Sequence, residues 1–284
     1  MLKKILVPLD GSPLSEAVLP ELRRFLRVED SEVVLVRAAE IVAVEPFAGV
    51  FETAVQEARN YLSEVEKRLS EQGVRTRFLA ELARPADFIL RSAEKEQATL
   101  IALATHGRKG LSRAFAGSVA EEILRRSPVP VFVVRPAERP PRPPIEPRPI
   151  RTILVPLDGS DRSLRAMEPA GALAELFGAR LIFLHVRVPE RDPGVPSPEQ
   201  YLEKAAERVK GASPLRLVAS GDPVREILDT CRFYEADLIA MTTHGRTGLK
   251  RLTTGSVTES VLRQALVPLL VVRSADEAED RAVA

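Results

Sequence analysis

The sequence predicts two doubly wound α/β domains, each a parallel sheet covered by helices on both faces. Three observations predict it. The segment "ILVPLDGS" occurs twice, at Ile5–Ser12 and at Ile153–Ser160. The segments "VPVFVVR" at Val129–Arg135 and "VPLLVVR" at Val267–Arg273 close the two copies alike. Between those ends, short apolar runs alternate with stretches of helical periodicity, the pattern of parallel strands joined by crossover helices. A repeat this long is a duplicated domain, because a solenoid unit spans only about 20–50 residues. The front segments lie 148 residues apart and the rear ones 138, so copy two is ten residues shorter, around the region matching Ile41–Asn60.

In copy one, Lys4–Leu9 reads as a buried strand and Pro13–Val28 as a helix. Glu32–Arg37 follows as a strand. Phe51–Glu71 is a long amphipathic helix, with Ala54, Ala58, Tyr61, Leu62, Val65 and Leu69 near helical spacing. Val74–Ala80, Pro85–Glu96, Leu100–Ala104, Ser118–Arg126 and Val131–Val134 then read as strand, helix, strand, helix and strand. Copy two repeats the order, and right-handed crossovers make each copy doubly wound.

These readings place domain one at residues 1–136 and domain two at 150–274. The joint, 137–149, is proline-rich: seven of the fourteen residues from Pro136 to Pro149 are proline. Proline fixes φ and removes donors, so an extended polyproline strut of roughly 43 Å is expected. A ligand for proline-recognition modules is the sharper reading of that stretch, and a spacer explains its position better. The polar, acidic tail 275–284 is expected to fray.

Composition excludes several classes. A formal net charge of +1 argues against a general nucleic-acid or membrane-surface binder. Cys231 is the only cysteine, so no intramolecular disulfide and no cysteine-rich metal site can form. No apolar run approaches the ~20 residues of a membrane span, and the chain reads as cytoplasmic.

Two features of each copy fall at strand carboxyl ends, where ligands bind in this fold class. The first is "PLDGS", at Pro8–Ser12 and Pro156–Ser160. Asp10 and Asp158 read either as loop residues that accept from turn amides or as carboxylates aimed at a ligand. Ser12 followed by Pro13 fits a helix N-cap with proline in the first turn. The second is "LATHGRKGLSRAFAGSVAEEIL" from Leu103, repeated as "MTTHGRTGLKRLTTGSVTESVL" from Met241. Nine residues separate Gly107 from Gly117, and Gly245 from Gly255. Ser118 and Ser256 then open helices, with Glu121 and Glu259 placed as capping-box partners. A glycine just before a helix N-terminus exposes amides to an anion. Tight turns alone would explain one such loop; two copies beside two "PLDGS" loops point to phosphates and a nucleotide. His106 and His244 have no partner for nucleophilic or metal chemistry and read as turn residues. The dinucleotide fingerprint and the P-loop are both absent.

The spacing G-x2-G-x9-G-[ST] after the fourth strand, with an aspartate after the first, resembles that of the universal stress protein family. Asp10, Gly107, Gly117 and Ser118 carry the likeness in copy one, and Asp158, Gly245, Gly255 and Ser256 in copy two. It covers residues 1–136 and 150–273. The first glycine of the pattern is replaced by Ala104 and by Thr242. The resemblance implies a five-stranded parallel sheet in the order 3-2-1-4-5. It further implies ATP, with Mg2+ held through the phosphates and no direct protein ligand. Adenine and ribose would lie near Pro8, Leu9, Asp10 and Ala38, and near Pro156, Leu157, Asp158 and Val186. Phosphates would lie on Gly107, Arg108, Gly117, Ser118 and Val119, and on Gly245, Arg246, Gly255, Ser256 and Val257. The implied role is a regulatory binder of the stress response, with no catalytic residue assigned. A slow ATPase and an interaction protein with vestigial sites are the alternatives. Family members dimerise through the last strand, so the apolar edges Val131–Val134 and Leu269–Val272 are expected to mediate self-association.

Overall fold

Each copy of "ILVP" becomes the central strand of a parallel sheet. The computed structural model describes residues 2–25, 31–39, 48–105, 118–136, 149–188, 197–209, 213–243 and 256–274. Residues 137–148 of the proline-rich joint and the tail 275–284 lie outside these residues. The chain divides into two units, residues 1–147 and 148–284.

In the first unit the strands are β1 (Lys4–Pro8), β2 (Glu32–Ala39), β3 (Arg75–Leu82), β4 (Leu100–Ala104) and β5 (Val131–Val134). They lie in the order β3-β2-β1-β4-β5, and every pairing within the unit is parallel. The order reverses between β1 and β4, as a doubly wound sheet requires. Ile5, Leu6 and Val7 are 0% exposed, which explains why β1 is a continuous apolar run with no alternation.

The first helix differs from the sequence expectation. Instead of one helix over Pro13–Val28, there are two short ones, α1 (Pro13–Glu16) and α2 (Val18–Leu22). Pro20 has no N–H to give the carbonyl of Glu16, so the helix restarts with proline in a first turn, where no donor is needed. Residues 26–28 lie outside the described residues. Then come α3 (Ala48–Ser70), α4 (Pro85–Lys95) and α5 (Ser118–Arg126). Ala58, Leu62, Val65 and Leu69 of α3 are buried on its apolar stripe. Phe25, after α2, meets Phe132 of β5 edge to face at 4.7 Å.

The second unit has β6 (Thr152–Pro156), β7 (Arg180–Arg187), β8 (Leu215–Ser220), β9 (Leu238–Thr242) and β10 (Leu269–Val272), ordered β10-β9-β6-β7-β8. Its pairings are parallel too. A 3-10 turn at Ser163–Ala166 leads into α6 (Met167–Phe177), followed by α7 (Pro198–Glu207), α8 (Pro223–Phe233) and α9 (Ser256–Gln264). The missing ten residues fall in the crossover from the second strand to the third. There α3 has 23 residues and α7 has 10. Tyr61 of α3 and Tyr201 of α7 correspond, each followed by a fully buried leucine, Leu62 and Leu202.

The helices before the fourth strands end alike. Gln97 (φ 52) and Glu235 (φ 49) adopt the left-handed conformation. The next residues, Ala98 and Ala236, donate their N–H groups to the carbonyls of Ala93 and Cys231, both at 2.9 Å. This is a Schellman closure made without glycine. The amino ends of β1–β3 carry an ion-pair network. Lys4 lies 3.8 Å from Glu32 and 3.6 Å from Glu96, while Arg77 pairs with Glu32 at 2.8 Å and also with Glu96. No helix among the described residues is long and apolar enough to cross a membrane.

Candidate functional site

Pro8 ends β1 because it has no amide to continue the ladder, and the chain turns at once. The N–H of Leu9 makes the last rung, to the carbonyl of Val36 at 2.9 Å. Gly11 then takes φ +88, and its counterpart Gly159 takes +86. A side chain would be strained there, which accounts for the glycine in both "PLDGS" loops. Oδ1 of Asp10 accepts from the N–H of Ser12 at 2.8 Å. Ser12 caps α1 by accepting from the N–H of Ser15 at 3.1 Å, and Ser15 returns its hydroxyl to the Ser12 carbonyl at 2.9 Å. In copy two, Oδ1 of Asp158 accepts from both the N–H (3.1 Å) and the hydroxyl (2.6 Å) of Ser160.

The turn-forming reading of these aspartates therefore describes one carboxylate oxygen. The second oxygen of Asp10 has no hydrogen-bond partner among the described residues, and the side chain is exposed. Burial of its inner part would raise the Asp10 pKa, but hydrogen bonding, chiefly from Ser12, outweighs this and holds the carboxyl below its ordinary value. At neutral pH it is a charged acceptor facing outward.

It faces a cavity of about 520 Å³ at the carboxyl ends of β1, β2 and β4, where the strand order reverses. Pro8, Leu9, Asp10, Ala38, Ala104, Ser118 and Val119 all line it. The structure thus brings these copy-one residues, taken from four separate segments, around one space. Ala54 and Glu57 of α3 close one side. Ser118 opens α5, whose N-terminus meets the cavity. A clamp holds that helix on α4: Arg126 donates to Asp87 at 2.8 Å, and Arg84 to Glu122 at 2.6 Å. Gly107, Arg108 and Gly117, with His106, lie outside the described residues.

In copy two, Pro156 ends β6, Leu157 is buried behind it, Val186 lies near the end of β7 and Thr242 ends β9. Ser256 opens α9, and Val257 follows half-buried. Gly245, Arg246 and Gly255, with His244, lie outside the described residues. Glu259, expected as a capping-box partner, accepts instead from Arg263 one turn along, at 2.7 Å.

Sequence reasoning missed Arg37 and His185, which occupy one position in the two copies. Arg37 lines the cavity, its guanidinium 4.8 Å above the ring of Tyr61. His185 is 1% exposed, and its Nδ1 donates to the carbonyl of Leu157 at 2.9 Å. Above it, the hydroxyl of Tyr201 lies 2.9 Å from Ser163 Oγ and 3.1 Å from the Ser160 carbonyl. The available signal was Arg37 itself, a charged residue that interrupts the apolar run after Glu32 in "EVVLVRAA".

The model of the "Universal stress protein family" matches residues 1–135 and 149–273. A universal stress protein of Methanocaldococcus jannaschii is 34% identical over 142 residues, covering 47% of this chain and 82% of that protein. One from Mycolicibacterium smegmatis is 26% identical over 290 residues, covering 95% of this chain and 96% of its own. The crystal structure of a universal stress protein from Archaeoglobus fulgidus aligns with 97% of this chain and 100% of its own, with a TM-score of 0.79 at 23% identity. The fold, the two matched segments and the near full-length relatives lead to one assignment: the chain belongs to the universal stress protein family and carries two of its domains in tandem.

Proposed function

We propose that the chain is a regulatory nucleotide binder of the stress response, with ATP as its ligand and signalling through conformation or assembly. What carries the reading is the single cavity running from the outward carboxylate of Asp10 to the N-terminus of α5. Its volume suits a mononucleotide. Pro8, Leu9, Val36 and Ala38 offer apolar walls to a base, Asp10 offers an acceptor to ribose hydroxyls, and the helix terminus offers amides to phosphate. Any Mg2+ would ride on the phosphates. No general base is assigned beside the cavity, and a cradle that holds ground state and transition state alike gives no acceleration. Self-association through the last strands is the assembly route that fits this role, and sedimentation with and without ATP reads it.

The direct test is to denature the purified protein and identify released nucleotide by chromatography and mass spectrometry. Calorimetry with ATP on the wild type and on Asp10→Ala completes it. The reading predicts bound adenine nucleotide, weaker binding in the variant, and ATP that survives prolonged incubation. Absence of any nucleotide binding would refute it.

A further inference from the structure

Arg37 stands out among the cavity residues because its charge is uncommitted. Among the described residues it makes no hydrogen bond and no ion pair; its one recorded contact of this kind is the face of Tyr61. The carboxylate bound to Tyr61 is already taken. Glu16 accepts from the Tyr61 hydroxyl through Oε1 and from Arg68 through Oε2, both at 2.8 Å. That pairing also pins the ring on which the guanidinium rests. On its other side the guanidinium lies against the "PLDGS" loop: a Cβ on Gly11 would come within 3.0 Å of Nη1. Arg37 is therefore held between an anchored aromatic face and a glycine, beside Asp10, with its fork of donors unspent in a cavity wall.

A positioned guanidinium with free donors suits an oxyanion that can accept through two oxygens at once, a carboxylate or a phosphate. Its place decides which one. Arg37 and Asp10 stand at the base-and-ribose end of the proposed nucleotide, while the 5′-phosphates belong at the N-terminus of α5. An arginine beside the ribose-binding carboxylate is the arrangement that accepts a phosphate on the sugar. Resting on the nucleotide reading above, we propose that the copy-one site selects nucleotides carrying a ribose 2′- or 3′-phosphate in addition to the 5′-phosphate, with Arg37 as the specificity-determining residue. Copy two has His185 at this position, buried and committed to Leu157, and lacks the selection.

Calorimetry of the full chain with AMP, adenosine 2′,5′-bisphosphate and adenosine 3′,5′-bisphosphate tests this. At least one bisphosphate should bind about tenfold tighter than AMP, the effect of one charge-assisted pair, with one tight equivalent per chain. The larger gap of the two identifies the sugar position. In Arg37→Gln the gap should shrink to about twofold or less, and Arg37→Lys, which keeps the charge and loses the fork, should fall between. AMP binding with no gain from either bisphosphate overturns the inference and leaves the nucleotide reading standing. Binding of none of the three, nor of ATP, overturns both. A gap that persists in a folded Arg37→Gln, or two tight equivalents per chain, removes the role from Arg37.

Discussion

The hydroxyl of Thr258 donates to the carbonyl of Thr242 at 2.6 Å, tying the first turn of α9 to the end of β9. Copy one has Ala120 and Ala104 at these places and cannot form the tie. This side-chain tie between the helix end that would face phosphate and the sheet is thus confined to copy two. Thr258→Val keeps the shape and removes the donor. It should cost about 1 kcal/mol, a normal net hydrogen-bond contribution, in the unfolding of copy two alone. Scanning calorimetry should show one of two transitions lowered. An unchanged trace would mean the bond is not formed in solution.

Tyr201 gives a second handle on copy two. Burial pushes its phenol up to about 12, with the nearby Asp158 and Asp161 charges adding and the bond to Ser163 opposing. The folded state therefore keeps this proton after the unfolded chain, near 10, has lost it. Stability from Tyr201 is complete below pH 10 and drains away as pH rises from 10 to 12. The stability difference between wild type and Tyr201→Phe, from urea melts, should shrink across that window. A constant difference would show the phenol to be freely solvated.

The network at the amino ends of β1–β3 predicts the opposite pH dependence. The hydrogen bond from Arg77 holds the Glu96 carboxyl below its ordinary value, with Lys4 assisting and burial opposing. A depressed carboxylate stabilises the fold above its unfolded pKa, and the benefit disappears as pH falls through the depressed value. Arg77→Gln should therefore destabilise copy one at pH 7 and become indistinguishable from wild type in strong acid. Melts from pH 7 down to 3 measure this, and a gap that widens in acid would contradict it.

Gln97 and Glu235 offer a stabilising change. Each sits in the left-handed region that costs a side-chain residue roughly 1 kcal/mol or more and glycine little. Gln97→Gly and Glu235→Gly should each raise stability, by about 0.5–1 kcal/mol after the entropy of the freer unfolded chain is subtracted. Thermal melts of the single and double variants should rise, and a fall would mean the side chains make contacts worth more than the strain.

Much of this architecture was legible from residues alone. Strands such as Ile5–Val7 are buried on both faces, so their apolar runs are unbroken, and the duplication marks the boundaries twice. Helix α1–α2 was misread because Pro20 acts on the carbonyl of Glu16, a local effect that apolar periodicity ignores. The aspartate loops announced themselves through the repeated "PLDGS". Arg37 did not, because what distinguishes it is the lack of an ion pair among the described residues. That depends on Glu16 being taken by Tyr61 and Arg68, 45 and 52 residues away. Tyr61 itself read as one more member of an apolar stripe, and its hydroxyl points at a partner only the folded chain brings near.

The shared "ILVPLDGS" has a consequence during synthesis. Two central strands with one sequence can each fit the slot meant for the other, and repeated domains misassemble by such exchange. What tells the strands apart lies at their amino ends. The Lys4 amide and carbonyl are latched by the hydroxyl of Thr99, while the amides of Arg151 and Thr152 are latched by the carboxylate of Asp237. A charged acceptor in one slot and a hydroxyl in the other give each sheet a key for its own strand. Emergence of the first unit from the ribosome before β6 exists gives it a head start as well. Refolding of the whole chain from denaturant lacks that head start, so sorting then falls to strand-end contacts such as these two latches.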